Sequence, residues 1–315
     1  MKPILVAVLF VAATIAVGFM AADDTQGVVV KKPFDGNVAK GHSKGGTPQI
    51  FWHGGSVLNQ GMVPVYVIYY GSNFPSSTQD IVNAFLAGLT LRPQYQVNTT
   101  YCEFQTTDCA TNSPSTAISG LLDFSVPSHV YFDSGSQGNT INSGGVLKIL
   151  QHAFATTTLG HLPTDDGAVY FVITSPDIKV HGFCSSFCAY HTRSTSVVSG
   201  KTIHYAFIPE PGPKCTACDG NFALGETTTP NGDPGADEMV DSIMHELSES
   251  VTDPDLNAWY TSNGEENGDL CSYNYGTPLF LHNGASYNVA WNGYYYLIQL
   301  IWKNGPIPQS CAAAP

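Results

Sequence analysis

A short run of ionisable residues in the C-terminal half has residue types and a spacing that suit metal-dependent chemistry. The run reads His245-Glu246-Leu247-Ser248-Glu249. In a helix, His245 and Glu249 lie four residues apart and leave the same face. Glu246 points about 100° away from His245, because a helix has 3.6 residues per turn. The run therefore offers two ligands for one cation and a nearby carboxylate that can act as a general base.

The same run resembles the HExxH helix of the zincins, which are zinc-dependent hydrolases, with glutamate in place of the second histidine. In that motif two ligands hold Zn2+ and the intervening glutamate activates water. A carboxylate can replace an imidazole, because both bind zinc at similar distances. The resemblance implies Zn2+ on His245 and Glu249, with Glu246 as the catalytic base. The competing interpretation is an ordinary helix-surface pair, worth roughly a few tenths of a kcal/mol.

A zinc site of this kind needs a third protein ligand, and two segments can supply it. Asp255 has the spacing of the third ligand in the metzincin motif, but Thr252 stands where that motif has a glycine, and Pro254 redirects the chain. The alternative segment contains Glu266 and Asp269 just before a cysteine. We expect Glu266 to be the third ligand. Asp269 is the reserve ligand, or it orients the histidine from outside the ligand shell.

A helix that can carry this run is predicted from Asp233 to about Thr252. Asp233 is a good N-cap, and Pro234 suits the first turn. Pro254 ends the helix, because it disfavours the helical conformation at Asp253. Apolar residues recur with a period near 3.6 and predict one buried face. They are Val240, Ile243, Met244, Leu247 and Val251.

The remaining elements predict an α+β domain in which helices pack on a mixed sheet. β-branched and aromatic runs predict strands, and amphipathic runs predict two further helices. The strands are 63–70, 128–132, 168–174, 204–208 and 294–301, and the helices are 77–89 and 144–155. The predicted fold is thus a single α+β domain with a zincin-like active-site helix.

The N-terminus has the order of regions found in a secretory signal peptide. A basic start at Met1-Lys2 precedes an apolar run, and the small residues Ala21 and Ala22 follow. We expect residues 1–22 to be a signal peptide, since the apolar run is short for a membrane span. The alternative is an uncleaved anchor. Residues 23–49 have no apolar period and are predicted to be a flexible lead-in to a domain at 50–315.

The eight cysteines all follow the predicted signal peptide and form an even set. In a secreted protein such a set indicates disulfides. Cys102 and Cys109 are expected to pair across a short loop, and Cys271 and Cys311 to fasten the C-terminal segment. The other four can pair locally or crosswise, or bind a metal through their spacing. They are Cys184, Cys188, Cys215 and Cys218.

Two weaker features leave alternatives open. His181 and His191 flank a cysteine pair and are either metal ligands or the polar lining of a disulfide-tied loop. Asn98-Thr99-Thr100 is an acceptor sequence for N-glycosylation, which matters only in a host that glycosylates.

Charge excludes some partners. The chain has 12 basic and 25 acidic side chains and a formal net charge of −13. Loss of Lys2 with the signal peptide makes this charge more negative by one. Such a surface argues against nucleic acids and anionic membranes. We expect a protein that is monomeric by default and leaves the membrane after signal cleavage. Its expected partner is an extracellular substrate, either a peptide or a cell-wall polymer.

The chain resembles the exordium, or phosphate-induced protein, family from about His53 to Cys311. The resemblance is collinear over most of the mature chain. The positions that carry it are His53-Gly54-Gly55, Tyr69-Tyr70-Gly71, Val169-Tyr170-Phe171-Val172, Thr174-Ser175-Pro176-Asp177, Gly182-Phe183-Cys184, Cys188, His191, Cys215, Cys218, Pro230-Asn231, Asp233, Gly235, Asp237, Met239, Val240, Thr252-Asp253-Pro254, Cys271 and Cys311.

The resemblance implies an extracellular or cell-wall protein, since the plant members are of that kind and are linked to growth and to phosphate or sugar responses. The plant pattern has a glutamate at the position of Glu266 but lacks the His-Glu pair of the helix. The HExxE form here resembles a microbial branch, so the plant role does not carry over. Two functions follow from these observations. One is a secreted zinc-dependent, peptidase-like hydrolase; the other is a non-catalytic extracellular protein of the exordium type.

Overall fold

The computed structural model describes residues 28–34, 49–155, 161–212, 215–306 and 309–312. Strands and helices alternate along most of the chain. The strands are β1 (Val29–Lys31), β2 (Phe51–Trp52), β3 (Val63–Tyr70), β4 (Leu122–Asp123), β5 (Val130–Asp133), β6 (Thr140–Ile141), β7 (Val169–Thr174), β8 (Lys179–Val180), β9 (Ala189–Ser194), β10 (Ile203–Pro209), β11 (Trp259–Tyr260), β12 (Phe280–His282), β13 (Ala285–Tyr287), β14 (Val289–Trp291), β15 (Tyr294–Tyr296), β16 (Ile301–Lys303) and β17 (Ser310–Ala312). The α-helices are α1 (Ser76–Leu89), α2 (Pro93–Gln96), α3 (Cys109–Asn112), α4 (Ser143–Ala155), α5 (Gly220–Ala223) and α6 (Pro234–Thr252).

A seven-stranded mixed sheet organises the fold, with the order β1-β9-β10-β7-β3-β4 and β5 also paired to β3. The pairs among β10, β7, β3, β4 and β5 are parallel. At the other end, β9 is antiparallel to β10, and β1 is antiparallel to β9. Short two-stranded ladders decorate this sheet in the C-terminal third.

The central strands are apolar on both faces because each face is covered by helices, as expected for parallel strands. On β3, Val65, Val67 and Tyr69 face one core and the alternate residues face the other. The first core contains the apolar faces of α1 and α6. The second contains the apolar face of α4. Alternation along a strand therefore decides which side chains can meet α6.

The predicted α+β class is confirmed: a mixed sheet packs with several helices in a single domain. The three predicted helices appear as α1, α4 and α6, with boundaries shifted by at most one or two residues. The predicted strand over 294–301 is wrong in its extent. It splits into β15 and β16, because residues 297–300 leave the ladder. Here the backbone amide of Ile298 donates to the Asn288 side chain, and the backbone amide of Gln299 donates to Asp241.

The predicted flexible lead-in at 23–49 differs from the structure at residues 28–34. This segment supplies β1, whose register places Val29 opposite His191 and Lys31 opposite Ala189. Lys31 is buried and forms ion pairs with two carboxylates of α6. The folded unit therefore begins before residue 50. The sequence pattern does not predict this, because the segment is held by an ion pair and not by an apolar period. The predicted signal peptide, 1–22, lies outside the described residues.

Four disulfides connect all eight cysteines. The expected pairs Cys102–Cys109 and Cys271–Cys311 are confirmed. The open question about the middle four resolves crosswise, since one loop is bonded twice to the other. These two bonds are Cys184–Cys215 and Cys188–Cys218. None of the helices in the described ranges combines the length and apolar character that crossing a membrane requires.

Candidate metal centre

Helix α6 presents the HExxE run to the interior of the protein. Asp233 caps the helix by accepting a hydrogen bond from the Ala236 amide, and Asp253 stands at its C-cap. The apolar face packs into the core beneath the sheet. On the adjoining face His245, Glu246 and Glu249 are all fully buried. Burial of three ionisable side chains on neighbouring turns makes the surface-pair interpretation untenable.

His191 approaches the helix from β9. His191 lies two residues after Ala189, so both side chains are on the same face of the strand. Ala189 belongs to the core on the α6 side, and the imidazole therefore faces the helix. The ring nitrogen Nδ1 lies 3.2 Å from Glu249 Oε2 and 3.4 Å from Glu246 Oε2. The other nitrogen, Nε2, lies 3.5 Å from Glu266 Oε2. One imidazole thus contacts three carboxylates.

The turn from Glu266 to Asp269 closes the cluster from the opposite side. Asp269 Oδ1 lies 3.7 Å from His245 Nε2, and the Asp269 amide donates to Glu249 Oε1 at 3.0 Å. Gly268 makes this approach possible, because a Cβ there would lie 2.8 Å from Glu249 Oε1 and 3.0 Å from His245 Cγ. Glycine is therefore required for close contact between the turn and α6. The disulfide at Cys271 holds the end of the same segment.

Gln299 fixes the tautomer of His245. Its Nε2 donates to the Gly268 carbonyl at 2.7 Å, which sets the orientation of the amide. The amide oxygen Oε1 then accepts from His245 Nδ1 at 3.0 Å. With Nδ1 donating to Gln299, Nε2 points at Glu249 Oε1, 3.1 Å away, and is the nitrogen that a cation would bind after displacing its proton. A histidine held in this way is ready to bind a cation.

Asn98 ties the turn to the helix. It donates to Ser248 Oγ on α6 and accepts from Asn267 Nδ2 in the turn, both at 3.2 Å. Its side chain is fully buried, so the glycosylation sequence is inaccessible in the folded protein.

Two sets of donors result, and both include Glu249. His191, Glu249 and Glu266 form one set, and His245, Glu249 and Asp269 form the other. Within each set the ligand atoms lie within 4.8 Å of one another. Imidazole nitrogen and carboxylate oxygen are donors suited to Zn2+. The arrangement can therefore bind a divalent cation.

Most polar atoms at the centre have no hydrogen-bond partner. Although several nitrogen–oxygen distances lie within ion-pair range, their geometry is not that of a hydrogen bond. The unpartnered buried atoms are His191 Nδ1 and Nε2, His245 Nε2, Glu246 Oε1 and Oε2, Glu249 Oε2 and Glu266 Oε2. Native proteins pair nearly all such atoms, so this concentration of unpaired atoms marks the cluster as a candidate cation site.

The charges of the cluster shift the pKa values of its members in opposite directions. Burial opposes a charge on His191, yet its contacts with Glu246 and Glu249 raise its pKa to about 10. His245 behaves similarly, and nearby carboxylates raise its pKa to about 9 against the effect of burial. Burial raises the pKa of Glu246. Glu249 lies between the two imidazoles, which lower its pKa to about 2 despite its burial. The surrounding carboxylates thus stabilise positive charge on both histidines.

The structure brings the sequence-predicted residues together in an altered grouping. His245 and Glu249 share a donor set as expected, but its third member is Asp269, the reserve ligand. Glu266 groups with His191 on the other side of Glu249. Asp255, the alternative third ligand, lies elsewhere and contacts His204 at 3.2 Å and Arg193 at 3.4 Å.

Sequence reasoning left His191 undecided and missed Gln299. His191 lies in a strand, Ala189–Ser194, that is too polar to be recognised from apolar alternation. Its near neighbour His181 is exposed, so proximity to the cysteines did not distinguish the two histidines. The available signal was the spacing of Ala189 and His191, which places both on one strand face. No sequence pattern marks Gln299, because its role depends on a tertiary contact.

Comparison with known proteins gives a consistent family. Residues 50–314 match the family described as phosphate-induced protein 1 conserved region. Protein EXORDIUM-like 5 of Arabidopsis thaliana is 28% identical over 281 residues, covering 80% of this chain and 74% of the relative. Protein EXORDIUM-like 3 of the same plant is 27% identical over 275 residues, covering 80% of both chains.

A third relative comes from tobacco. Protein PHOSPHATE-INDUCED 1 of Nicotiana tabacum is 24% identical over 288 residues, covering 83% of this chain and 87% of the relative. No solved structure matches the chain. The resemblance noted from individual residues is thereby confirmed over most of the sequence, and the chain belongs to the phosphate-induced protein 1 family.

Proposed function

We propose that this chain is a secreted zinc-dependent hydrolase. Zn2+ binds to His245 and Glu249 together with the acidic turn that contains Glu266 and Asp269, and Glu246 is the general base. The observation that carries the proposal is the convergence of unpartnered buried donor atoms on this centre. A buried carboxylate without a counter-charge is strongly unfavourable, and a bound cation removes that cost.

The roles of the side chains follow from their contacts. Gln299 holds His245 with Nε2 free, and the Asp269 amide orients the Glu249 carboxylate. Bound zinc supplies a Lewis acid that lowers the pKa of a coordinated water to about 7. Glu246 has both oxygens free of hydrogen bonds, and burial raises its pKa. A carboxylate in this state can accept a proton from water near neutral pH.

Access limits the substrates that this centre can process. The ligands are buried, and only the Asp269 side chain is partly exposed, at 14%. Residues 262–264, which precede the ligand turn in the chain, are exposed. Burial of the ligands restricts access, which predicts slow turnover and a narrow range of extracellular peptides or cell-wall polymers. Four disulfides and the N-terminal sequence pattern support secretion.

A second candidate function is a non-catalytic extracellular or cell-wall protein with a structural metal ion. Burial of the donors favours it, because structural zinc sites are closed whereas catalytic sites keep one position open. In this alternative Glu246 neutralises charge and has no proton to transfer.

The Glu246→Gln variant separates the two functions. Metal content is measured by mass spectrometry of purified protein, and turnover with fluorogenic peptides and cell-wall polysaccharides. For the hydrolase we expect Glu246→Gln to retain the metal and lose turnover by about 100-fold or more. Glu265→Gln, at the position just before Glu266, is the control and should retain both the metal and the turnover. Full metal content without turnover in the wild type supports the structural alternative, and absence of metal contradicts both.

A further inference from the structure

We infer that this centre binds two divalent cations bridged by the carboxylate of Glu249. The inference rests on the metal binding in the proposed function and does not require turnover. It adds His191 as a ligand, which the proposed single-ion site does not use.

The two oxygens of Glu249 face different imidazoles. Oε1 lies 3.1 Å from His245 Nε2, whereas Oε2 lies 3.2 Å from His191 Nδ1. A carboxylate placed in this way presents one oxygen to each of two ions. Asp269 adds an oxygen on the side of His245, and Glu266 adds one on the side of His191. Each side then has one nitrogen donor and two oxygen donors.

The spacing of the donors fits a metal shell on both sides. Two donors that bind one zinc ion at about 2.1 Å in tetrahedral geometry are separated by about 3.4 Å. The observed nitrogen–oxygen distances are 3.1 Å and 3.7 Å from His245 Nε2, and 3.2 Å from His191 Nδ1 to Glu249. Glu266 lies 3.5 Å from the other ring nitrogen of His191, Nε2. Each side therefore offers a nitrogen–oxygen pair at a separation that suits one metal ion, and the two pairs share only the carboxylate of Glu249.

Charge balance also favours more than one dication when the carboxylates are ionised. Five carboxylates lie at the centre if Asp253 is included, since its Oδ2 is unpartnered and its charge acts on Glu266. Within the described ranges, the ion pairs of the four ligand and base carboxylates involve only His191 and His245. With all five carboxylates ionised and both imidazoles neutral, one dication leaves three uncompensated negative charges, and two dications leave one. Buried charge is tolerated only when it is paired.

One alternative fills the second position without a metal. A doubly protonated His191 can place a positive charge between Glu249 and Glu266 and accompany a single ion at His245. The two arrangements differ in stoichiometry, which makes metal counting the decisive measurement.

The experiment counts zinc ions per chain in the full mature protein after saturation with zinc and gel filtration. We expect two ions in the wild type, one in His191→Gln, one in Asp269→Asn and none in Glu249→Gln. His181→Gln and Asp166→Asn, both exposed, are the matched controls and should retain two. Titration of metal-free wild type with zinc against a chelating dye should reach its end point at two equivalents. This measurement decides the question if a variant fails to fold.

One ion per wild-type chain, retained in His191→Gln, would overturn the bridged pair and leave the proposed hydrolase intact. No ion at saturation would overturn both proposals. Two ions per wild-type chain without any turnover by the wild type would support the bridged pair and contradict the hydrolase.

Discussion

At the scale of single residues, Gln299 decides which nitrogen of His245 is available to a cation. The amide has a fixed orientation because its nitrogen is committed to the Gly268 carbonyl. Its oxygen therefore has to accept from His245 Nδ1. A substitution that removes this acceptor also removes the preference for a proton on Nδ1.

We expect Gln299→Leu to lower zinc affinity about 10- to 100-fold, the usual effect of losing a hydrogen-bond partner of a metal-binding histidine. The fold should persist, because the Gln299 backbone still donates to Asp241. Competition with a chelating dye measures the affinity. Gln151→Leu, at an exposed position on α4, is the control. Equal affinities in Gln299→Leu and the wild type would show that the amide does not set the tautomer.

At the scale of elements, the attachment of β1 depends on α6. Lys31 Nζ donates to Asp241 Oδ2 at 2.6 Å and to Glu238 Oε1 at 3.1 Å, with all three side chains buried. Asp241 also accepts a hydrogen bond from the backbone amide of Gln299, so its carboxylate links β1 to the residue that orients His245. Breaking the ion pair should therefore disturb both the sheet edge and the site.

We expect Lys31→Met to lower the free energy of unfolding by about 3–5 kcal/mol, because it leaves two buried carboxylates without their cation. Lys32→Met is a matched control at the next, exposed position and should change stability by less than about 0.5 kcal/mol. Chemical denaturation followed by tryptophan fluorescence measures both variants. A loss below about 1 kcal/mol in Lys31→Met would mean that β1 contributes little to the folded state.

The elements that could be predicted from sequence are those with a one-dimensional signal. Helix α6 was located at both ends, because an aspartate cap, a period of 3.6 and a proline stop all lie in the local sequence. Strands β9 and β1 were not predicted, since their polar residues are stabilised by partners far away in the chain. The candidate site shows the same division. The spacing of His245 and Glu249 predicts that they lie together, and the structure places both in the buried cluster. The approach of His191 and the grouping of Asp269 with His245 depend on how β9 and the turn meet the helix.

At the scale of the whole molecule, stability should depend on pH through Glu210, which follows β10 and lies away from the metal centre. Burial raises the pKa of Glu210 to about 8, and the charges of Asp233 and Asp177 act in the same direction. The folded protein then keeps this proton up to about pH 8, while the unfolded chain releases it near its ordinary value. The stabilisation is complete at acid pH and is lost as pH rises through about 8.

We expect Glu210→Gln to gain stability relative to the wild type as pH rises from 5 to 8, by at most about 1.4 kcal/mol per pH unit. Thermal unfolding at a series of pH values measures the difference. Asp166→Asn, at an exposed position, should give a curve parallel to that of the wild type. Parallel curves for Glu210→Gln would contradict the raised pKa.

Metal removal should lower the stability of the entire domain, since the centre joins α6, β9 and the 266–269 turn. A ligand that binds only the folded state stabilises it by mass action, by about 4 kcal/mol at a thousand times the dissociation constant. We expect a strong chelator to lower the melting temperature and added zinc to restore it. His245→Ala should melt near the temperature of the chelated wild type and respond little to the chelator. A chelator-insensitive wild type would argue against a stabilising metal.

The buried pairing of Lys31 also constrains the order in which a nascent chain can acquire its final form. Lys31 leaves the ribosome 207 residues before Glu238. Until α6 has been synthesised and has docked, β1 on the sheet would bury an ammonium group without a partner, which is strongly unfavourable. Strand β1 is therefore synthesised early but joins the sheet late, and the outer edge of β9 stays unpaired until α6 has docked. Chaperones that shield unpaired strand edges should be needed most during this interval.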